Sequence, residues 1–113
     1  MDLLLVGEDS FFLRLLATEL RAGGMHVRVA NDSRALQEAL EEARPDVIVF
    51  DHVEPMDLFF LNPRESGFEG PLVLLVEEGV PVHVLEAFGF REVIRKPVRP
   101  KIVLERLAAL LGA

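Results

Sequence analysis

The chain contains no cysteine, tryptophan or tyrosine, and only two of its 113 residues are lysine. The absence of cysteine excludes disulfide bonds, thiolate metal sites and thiol nucleophiles. No apolar run reaches the roughly 18 residues that a membrane-spanning helix needs, and no secretory signal pattern opens the sequence. Because 50% of the residues are hydrophobic, the composition predicts a folded, soluble, cytoplasmic protein.

Basic residues are also outnumbered by acidic ones. Twelve Lys and Arg residues against nineteen Asp and Glu residues give a net charge of −7, whereas binding to a phosphate backbone needs grouped positive side chains. We therefore expect neither nucleic acid nor a membrane as a partner. The length suits a single domain over residues 1–113, either as a stand-alone protein or as a fragment of a longer one.

Apolar strand-like segments alternate with segments of helical spacing. The predicted strands cover residues 3–6, 25–30, 46–50, 72–76 and 92–95. Predicted helices cover 10–21, 81–88 and 100–111, with another between Ser33 and Pro45. A further helix within 57–70 is shortened, because Asn62-Pro63 and Gly67 interrupt it. This order predicts an α/β fold with a five-stranded parallel sheet and helices on both faces.

Two details of the predicted helices concern single side chains. Ser33 is expected to act as the N-cap of the second helix. In the last helix, which has Pro100 in its first turn, the residues expected to face inward are Ile102, Val103, Leu107, Leu110 and Leu111.

Charged residues stand at the carboxyl ends of three predicted strands. Asp51 follows the most apolar strand, Lys96 follows the fifth strand, and Glu8 and Asp9 follow the first. In an open parallel sheet these ends lie side by side, and ligands bind in the crevice outside them. The sequence therefore predicts a small site for a cation and a phosphoryl group.

The segments around this predicted site resemble the receiver domain of response regulators, the phosphoacceptor module of two-component signalling. The resemblance covers the whole chain and rests on residues 31–36, 45–51 with Pro55, and 95–100, in that order. It implies a flavodoxin-like, CheY-like fold and a role in phosphorelay signal transduction. It also implies that the chain is not an enzyme, and that its partner is a histidine kinase or a downstream effector.

The resemblance assigns the two central roles to Asp51 and Lys96. Asp51 matches the phosphoacceptor, whose carboxylate attacks a phosphoryl donor. Lys96 matches the lysine that pairs with this carboxylate and then with the phosphoryl oxygens, for which a compact ammonium is suited. Pro97 is expected to follow a cis peptide bond.

A weakly held Mg²⁺ ion is implied at the same place. The ligands expected from the resemblance are Glu8, Asp9, Asp51 and the backbone carbonyl of Val53. Magnesium prefers such oxygen ligands and keeps several waters. The two acidic positions that the family has after its first strand correspond either to Gly7 and Glu8 or to Glu8 and Asp9. Asp9 has an alternative role as a helix cap.

Two switch positions depart from the family pattern. Val76 stands where the family has a Ser or Thr that grips a phosphoryl oxygen, and Val93 stands where it has Tyr or Phe. The sequence therefore favours an atypical receiver that acts mainly through protein–protein contact, with weak or absent phosphorylation. The alternative is an ordinary Mg²⁺-dependent receiver that is phosphorylated on Asp51.

The resemblance also implies a contact face formed by the fourth helix, the fifth strand and the last helix, for a partner or a homodimer. This face is expected to display Val80, Val82, Phe88, Phe90, Arg91 and Arg95. A flavodoxin-like mononucleotide binder would share the topology. That class would need a Gly/Ser/Thr-rich loop after the first strand, and residues 7–10 are acidic instead, so the class is disfavoured.

Overall fold

The computed structural model describes residues 1–51, 63–77 and 89–112. Within these residues the chain forms five β-strands, three α-helices and one 3₁₀ helix. The strands are β1 (Asp2–Val6), β2 (His26–Ala30), β3 (Val47–Asp51), β4 (Leu72–Val76) and β5 (Glu92–Arg95). The helices are α1 (Phe11–Ala22), α2 (Ser33–Glu42) and α3 (Pro100–Leu110), and the 3₁₀ helix is Pro63–Ser66.

All neighbouring strands pair in parallel, in the order β2-β1-β3-β4-β5. β3 and β4 are buried along their whole length, as expected for apolar strands that are covered on both faces. Each predicted strand is present, and its bounds differ from the prediction by at most one residue. The predicted α/β fold with a five-stranded parallel sheet is confirmed.

Alternate residues of each strand point into two separate apolar cores, because successive side chains leave a strand on opposite faces. The α1/α3 core lies on one face and includes Leu3, Leu5, Leu16, Leu20, Val49, Leu75, Ile94, Val103 and Leu107. The α2 core lies on the other face and includes Leu4, Val6, Leu36, Leu40, Ile48, Phe50, Phe68, Leu74 and Val76. The sheet is therefore held rigidly between its helices, and its carboxyl edge is left to carry polar side chains.

Two predictions about the helices are wrong. Asp32, not Ser33, caps α2: its backbone is extended and its side chain accepts a hydrogen bond from the N–H of Ala35 (2.7 Å). Both residue types cap well, so the local pattern did not separate them. Ile102 is 41% exposed instead of inward, because α3 meets the sheet through the stripe that holds Val103 and Leu107.

The described part of the predicted third helix is the 3₁₀ turn Pro63–Ser66. Arg64, the second residue of this turn, donates hydrogen bonds to the carbonyls of Phe68 and Gly70 (both 2.8 Å). These bonds connect the turn to the residues just before β4. Residues 52–62 and the predicted helix over 81–88 lie outside the described residues.

Candidate functional site

The carboxyl ends of the strands surround a cleft of about 260 Å³. Asp51 ends β3 and pairs in register with Leu75 of β4, while Val76 pairs with Arg95, the residue before Lys96. The described residues that line the cleft are Glu8, Asp9, Ser10, Phe12, Asp51, Glu77 and Lys96. The structure therefore brings together the strand-end residues that the sequence indicated.

Asp51 and Lys96 form a buried ion pair at the base of this cleft. The Lys96 Nζ contacts Oδ1 of Asp51, and the two side chains are 13% and 3% exposed. No described group donates a hydrogen bond of good geometry to this Oδ1, so the attraction is that of a close charge pair. The Lys96 N–H donates to the Val76 carbonyl (2.7 Å), and the Lys96–Pro97 peptide bond is cis.

Two further groups approach the Lys96 ammonium. The Glu77 carboxylate lies 3.7 Å from Nζ and is 53% exposed. The ring of Phe12 lies beneath Nζ, which is 4.4 Å from the ring centroid. Ser10 caps α1 by accepting a hydrogen bond from the N–H of Leu13 (3.0 Å), and this capped first turn holds Phe12 at the cleft. The sequence prediction missed Phe12 as a site residue, and its only signal was its place in the first turn of the helix that follows β1.

Glu8 and Asp9 both line the cleft, and both are exposed. The Asp9 carboxylate also lies 3.6 Å from Nε of Arg14, and Ser10, not Asp9, provides the side-chain cap of α1. Among the described residues, no group of three His, Cys, Asp or Glu side chains could hold a metal ion. Val53, whose carbonyl was expected as a ligand, lies outside the described residues.

Gly7 is buried where β1 and β3 come closest. Its N–H donates to the Ala30 carbonyl (3.1 Å) and its carbonyl accepts from the Asn31 side chain (2.9 Å). A Cβ at this position would lie 2.6 Å from the Asp51 carbonyl oxygen and 3.3 Å from the Asp51 Cβ. A side chain therefore fits here only if the backbone of one strand moves, a constraint that the sequence did not reveal.

Val76 and Val93, which stand at the two expected switch positions, both pack in or against the α2 core. Val76 is buried there, and Val93 packs against it from the sheet edge. Val76 is not among the described residues that line the cleft. Neither side chain carries a polar group, so neither offers a hydrogen bond to a ligand at Asp51.

The expected contact face is described only in part. Arg91 and Arg95 are exposed on and beside β5. Phe90 does not point outward as predicted: it packs against the α2 core, with its ring edge-on to Phe50 at 5.9 Å and 83°. The remaining expected residues, Val80, Val82 and Phe88, lie outside the described residues.

Comparison with curated proteins gives similarity to response regulators. No protein-family model matches the chain. The chain is 27% identical over 96% of its length to the DNA-binding response regulator MtrA of Mycobacterium tuberculosis, and the match covers 50% of that protein. The chain thus spans about half the length of the curated relatives it matches.

Solved structures share the fold. The BeF3-activated N-terminal receiver domain of Klebsiella pneumoniae RstA matches with a TM-score of 0.80 and 24% identity over 100% of both chains. The receiver domain of the sensor histidine kinase PA1611 of Pseudomonas aeruginosa, with a magnesium ion coordinated in its active-site cleft, matches with a TM-score of 0.80 and 19% identity over 99% of this chain and 98% of that one. The fold is that of receiver domains, and the sequence similarity supports a response-regulator receiver domain. In the described part of the chain, no helix has the length and apolar character to cross a membrane.

Proposed function

We propose that this chain is an atypical receiver domain of two-component signalling that acts mainly through protein–protein contact, with weak or absent phosphorylation of Asp51. On this proposal it is a binding module and not an enzyme, and its partner is a histidine kinase or a downstream effector. The Asp51–Lys96 pair serves as a structural anchor at the carboxyl edge of the sheet.

The observation that carries the proposal is the packing of Val76. This residue ends β4 inside the α2 core and offers no hydroxyl to a phosphoryl group on Asp51. A ligand shifts a conformational equilibrium only through contacts that differ between the two states. Because Val93 also lacks a polar or aromatic group and packs against the same core, phosphorylation would have little with which to drive a switch.

The donor set of the cleft fits Mg²⁺, although with few ligands. Magnesium needs only one or two carboxylates when waters complete its shell, and Glu8 and Asp51 would hold it. The buried Oδ1 of Asp51, which contacts the Lys96 ammonium but has no hydrogen bond of good geometry among the described residues, is an oxygen of the required kind. The ion would offset the repulsion between carboxylates and an incoming phosphoryl group. Gly7 provides no ligand, so the binding would be weak.

A second candidate function, an ordinary phosphoacceptor, is favoured by the intact Asp51–Lys96 pair. In that reaction a carboxylate oxygen of Asp51 would form a bond to phosphorus, while the donor's leaving group departs with the electron pair of its own bond to phosphorus. The Lys96 ammonium would then balance the added negative charge. The two candidate functions differ only in whether Asp51 is phosphorylated and whether phosphorylation changes the conformation of the domain.

The contact surface of the proposed module includes the β5 edge. Arg91 and Arg95 are exposed there, and Ile102 of α3 is an exposed apolar residue. An ion pair between Arg106 of α3 and Glu92 of β5 joins the helix and the strand at this surface. On this proposal a partner protein occupies this face, with a homodimer of the chain as the alternative.

Intact-mass measurement after incubation with acetyl phosphate tests the proposal. With and without Mg²⁺, we expect at most a minor fraction of the chain to gain a phosphoryl group under conditions that modify an ordinary receiver domain. The matched control is Asp51→Asn, which removes the nucleophile and keeps the size of the side chain. A Mg²⁺-dependent gain of one phosphoryl group by most of the protein, absent in the control, would establish the ordinary phosphoacceptor instead.

A further inference from the structure

Phe12 is the aromatic side chain among the described residues that line the cleft, and its contact with Lys96 is not used by the function proposed above. We propose that Phe12 is a positioning residue that holds the Lys96 ammonium against Asp51 and so keeps the two charges paired. This inference deepens the proposed function and rests on it, because a lysine held in place cannot follow a phosphoryl group.

The geometry is that of a cation–π contact. Nζ of Lys96 lies 4.4 Å from the centroid of the Phe12 ring, well within the distance of about 6 Å at which a ring face attracts an ammonium. The ring is itself held in place, since Phe12 packs against the α1/α3 core and α1 starts from the capped Ser10. The adjacent Phe11 is 76% exposed and does not line the cleft.

The charges of the cleft explain why Lys96 needs such a support. Among the described residues that line it, four carry carboxylates and Lys96 carries the ammonium. Glu77 at 3.7 Å competes with Asp51 for Nζ, and Glu77 is much the more exposed of the two. The apolar body of the ring excludes water from one side of Nζ, and a drier site strengthens the attraction of a close charge pair. The ring therefore favours the buried partner, Asp51, over the exposed one.

The chain offers a direct measure of this positioning, because it has only two lysines. Lys101 is exposed on α3 and serves as an internal reference for the rate at which acetic anhydride acylates Lys96. In Phe12→Leu, which keeps an apolar side chain and removes the ring, we expect the Lys96/Lys101 rate ratio to rise by roughly two- to thirty-fold, the span of cation–π contacts from exposed to desolvated sites. Peptide mass spectrometry after digestion gives the ratio.

Two variants separate positioning from simple packing. Phe12→Tyr restores the ring and is expected to return the ratio to that of the unaltered protein, and Phe11→Leu removes the neighbouring exposed ring without effect. The proposal is overturned if the ratio does not change in Phe12→Leu, if it rises as much in Phe12→Tyr, or if Phe11→Leu raises it equally. Acylation involves no phosphoryl transfer, so its failure is distinct from a failure of the proposed function, which the acetyl phosphate experiment decides.

Discussion

Replacing Lys96 with methionine is expected to lower the free energy of unfolding by about 3–5 kcal/mol, because the substitution leaves the Asp51 carboxylate buried without its counter-charge. Asp51 is almost fully buried, and apart from the ion pair with Lys96 no described group bonds to its Oδ1. Methionine keeps most of the apolar stem of lysine, so the decrease in the free energy of unfolding measures the loss of the charge and not the creation of a cavity. Urea unfolding followed by circular dichroism measures it, since the chain has no tryptophan to report by fluorescence.

The control is the same change at the other lysine. Lys101→Met alters an exposed side chain of α3 and is expected to change the stability by no more than about 0.5 kcal/mol. Combining Lys96→Met with Asp51→Asn should recover much of the loss, because removing both charges leaves none buried alone. Equal costs for Lys96→Met and Lys101→Met would contradict the buried pair.

A side chain at position 7 is expected to destabilise the protein. Where space is available, replacing glycine with alanine stabilises a protein by about 0.4–1 kcal/mol through the unfolded state. At Gly7 the added Cβ would lie 2.6 Å from the Asp51 carbonyl oxygen, and overpacking of this kind costs about 1–3 kcal/mol. The free energy of unfolding of Gly7→Ala therefore decides the matter. It falls if β1 and β3 approach as closely as the structure indicates, and it rises if space is available.

Gly7→Asp extends this test to the metal. It would place an acid beside Asp51, at one of the two alternative positions for the family's acidic pair, and we expect a larger loss of stability than in Gly7→Ala, because a second carboxylate is buried without a partner. Isothermal titration is expected to show no gain in Mg²⁺ affinity. Glu8→Ala, at the exposed neighbour, is the control and should leave stability nearly unchanged. A Gly7→Asp protein of undiminished stability that binds Mg²⁺ more tightly would show that the strands can separate to admit the acid.

The overall fold could be predicted from the sequence because burial on both faces leaves a simple pattern. Strands such as β3 and β4 consist of unbroken apolar runs, and the polar residue at the end of each run marks the edge of the sheet. The sequence therefore predicts that Asp51 and Lys96 lie close together, since the parallel arrangement alone places their strand ends near each other.

What the sequence did not show depends on distances between elements. The close approach at Gly7 depends on how the ends of β1 and β3 lie beside each other. The sequence around a glycine does not distinguish this cause from other reasons for a glycine at the end of a strand. Phe12 belongs to an apolar helical stripe, so its pattern is that of a core residue, and its contact with Lys96 depends on how α1 sits over the cleft. The outward direction of Ile102 likewise depends on the angle at which α3 meets the sheet, which helical spacing alone does not define.

The proposed absence of a switch is tested most directly by adding beryllofluoride and Mg²⁺, which together mimic a phosphoryl group on a carboxylate, and recording the backbone amide resonances. We predict that any shifts are confined to the residues that line the cleft, such as Glu8, Asp51 and Lys96. Shifts that saturate with the ligand and extend along β5 to Arg91 and Val93 would contradict this prediction, because they would show that the site still drives a change of the distant face.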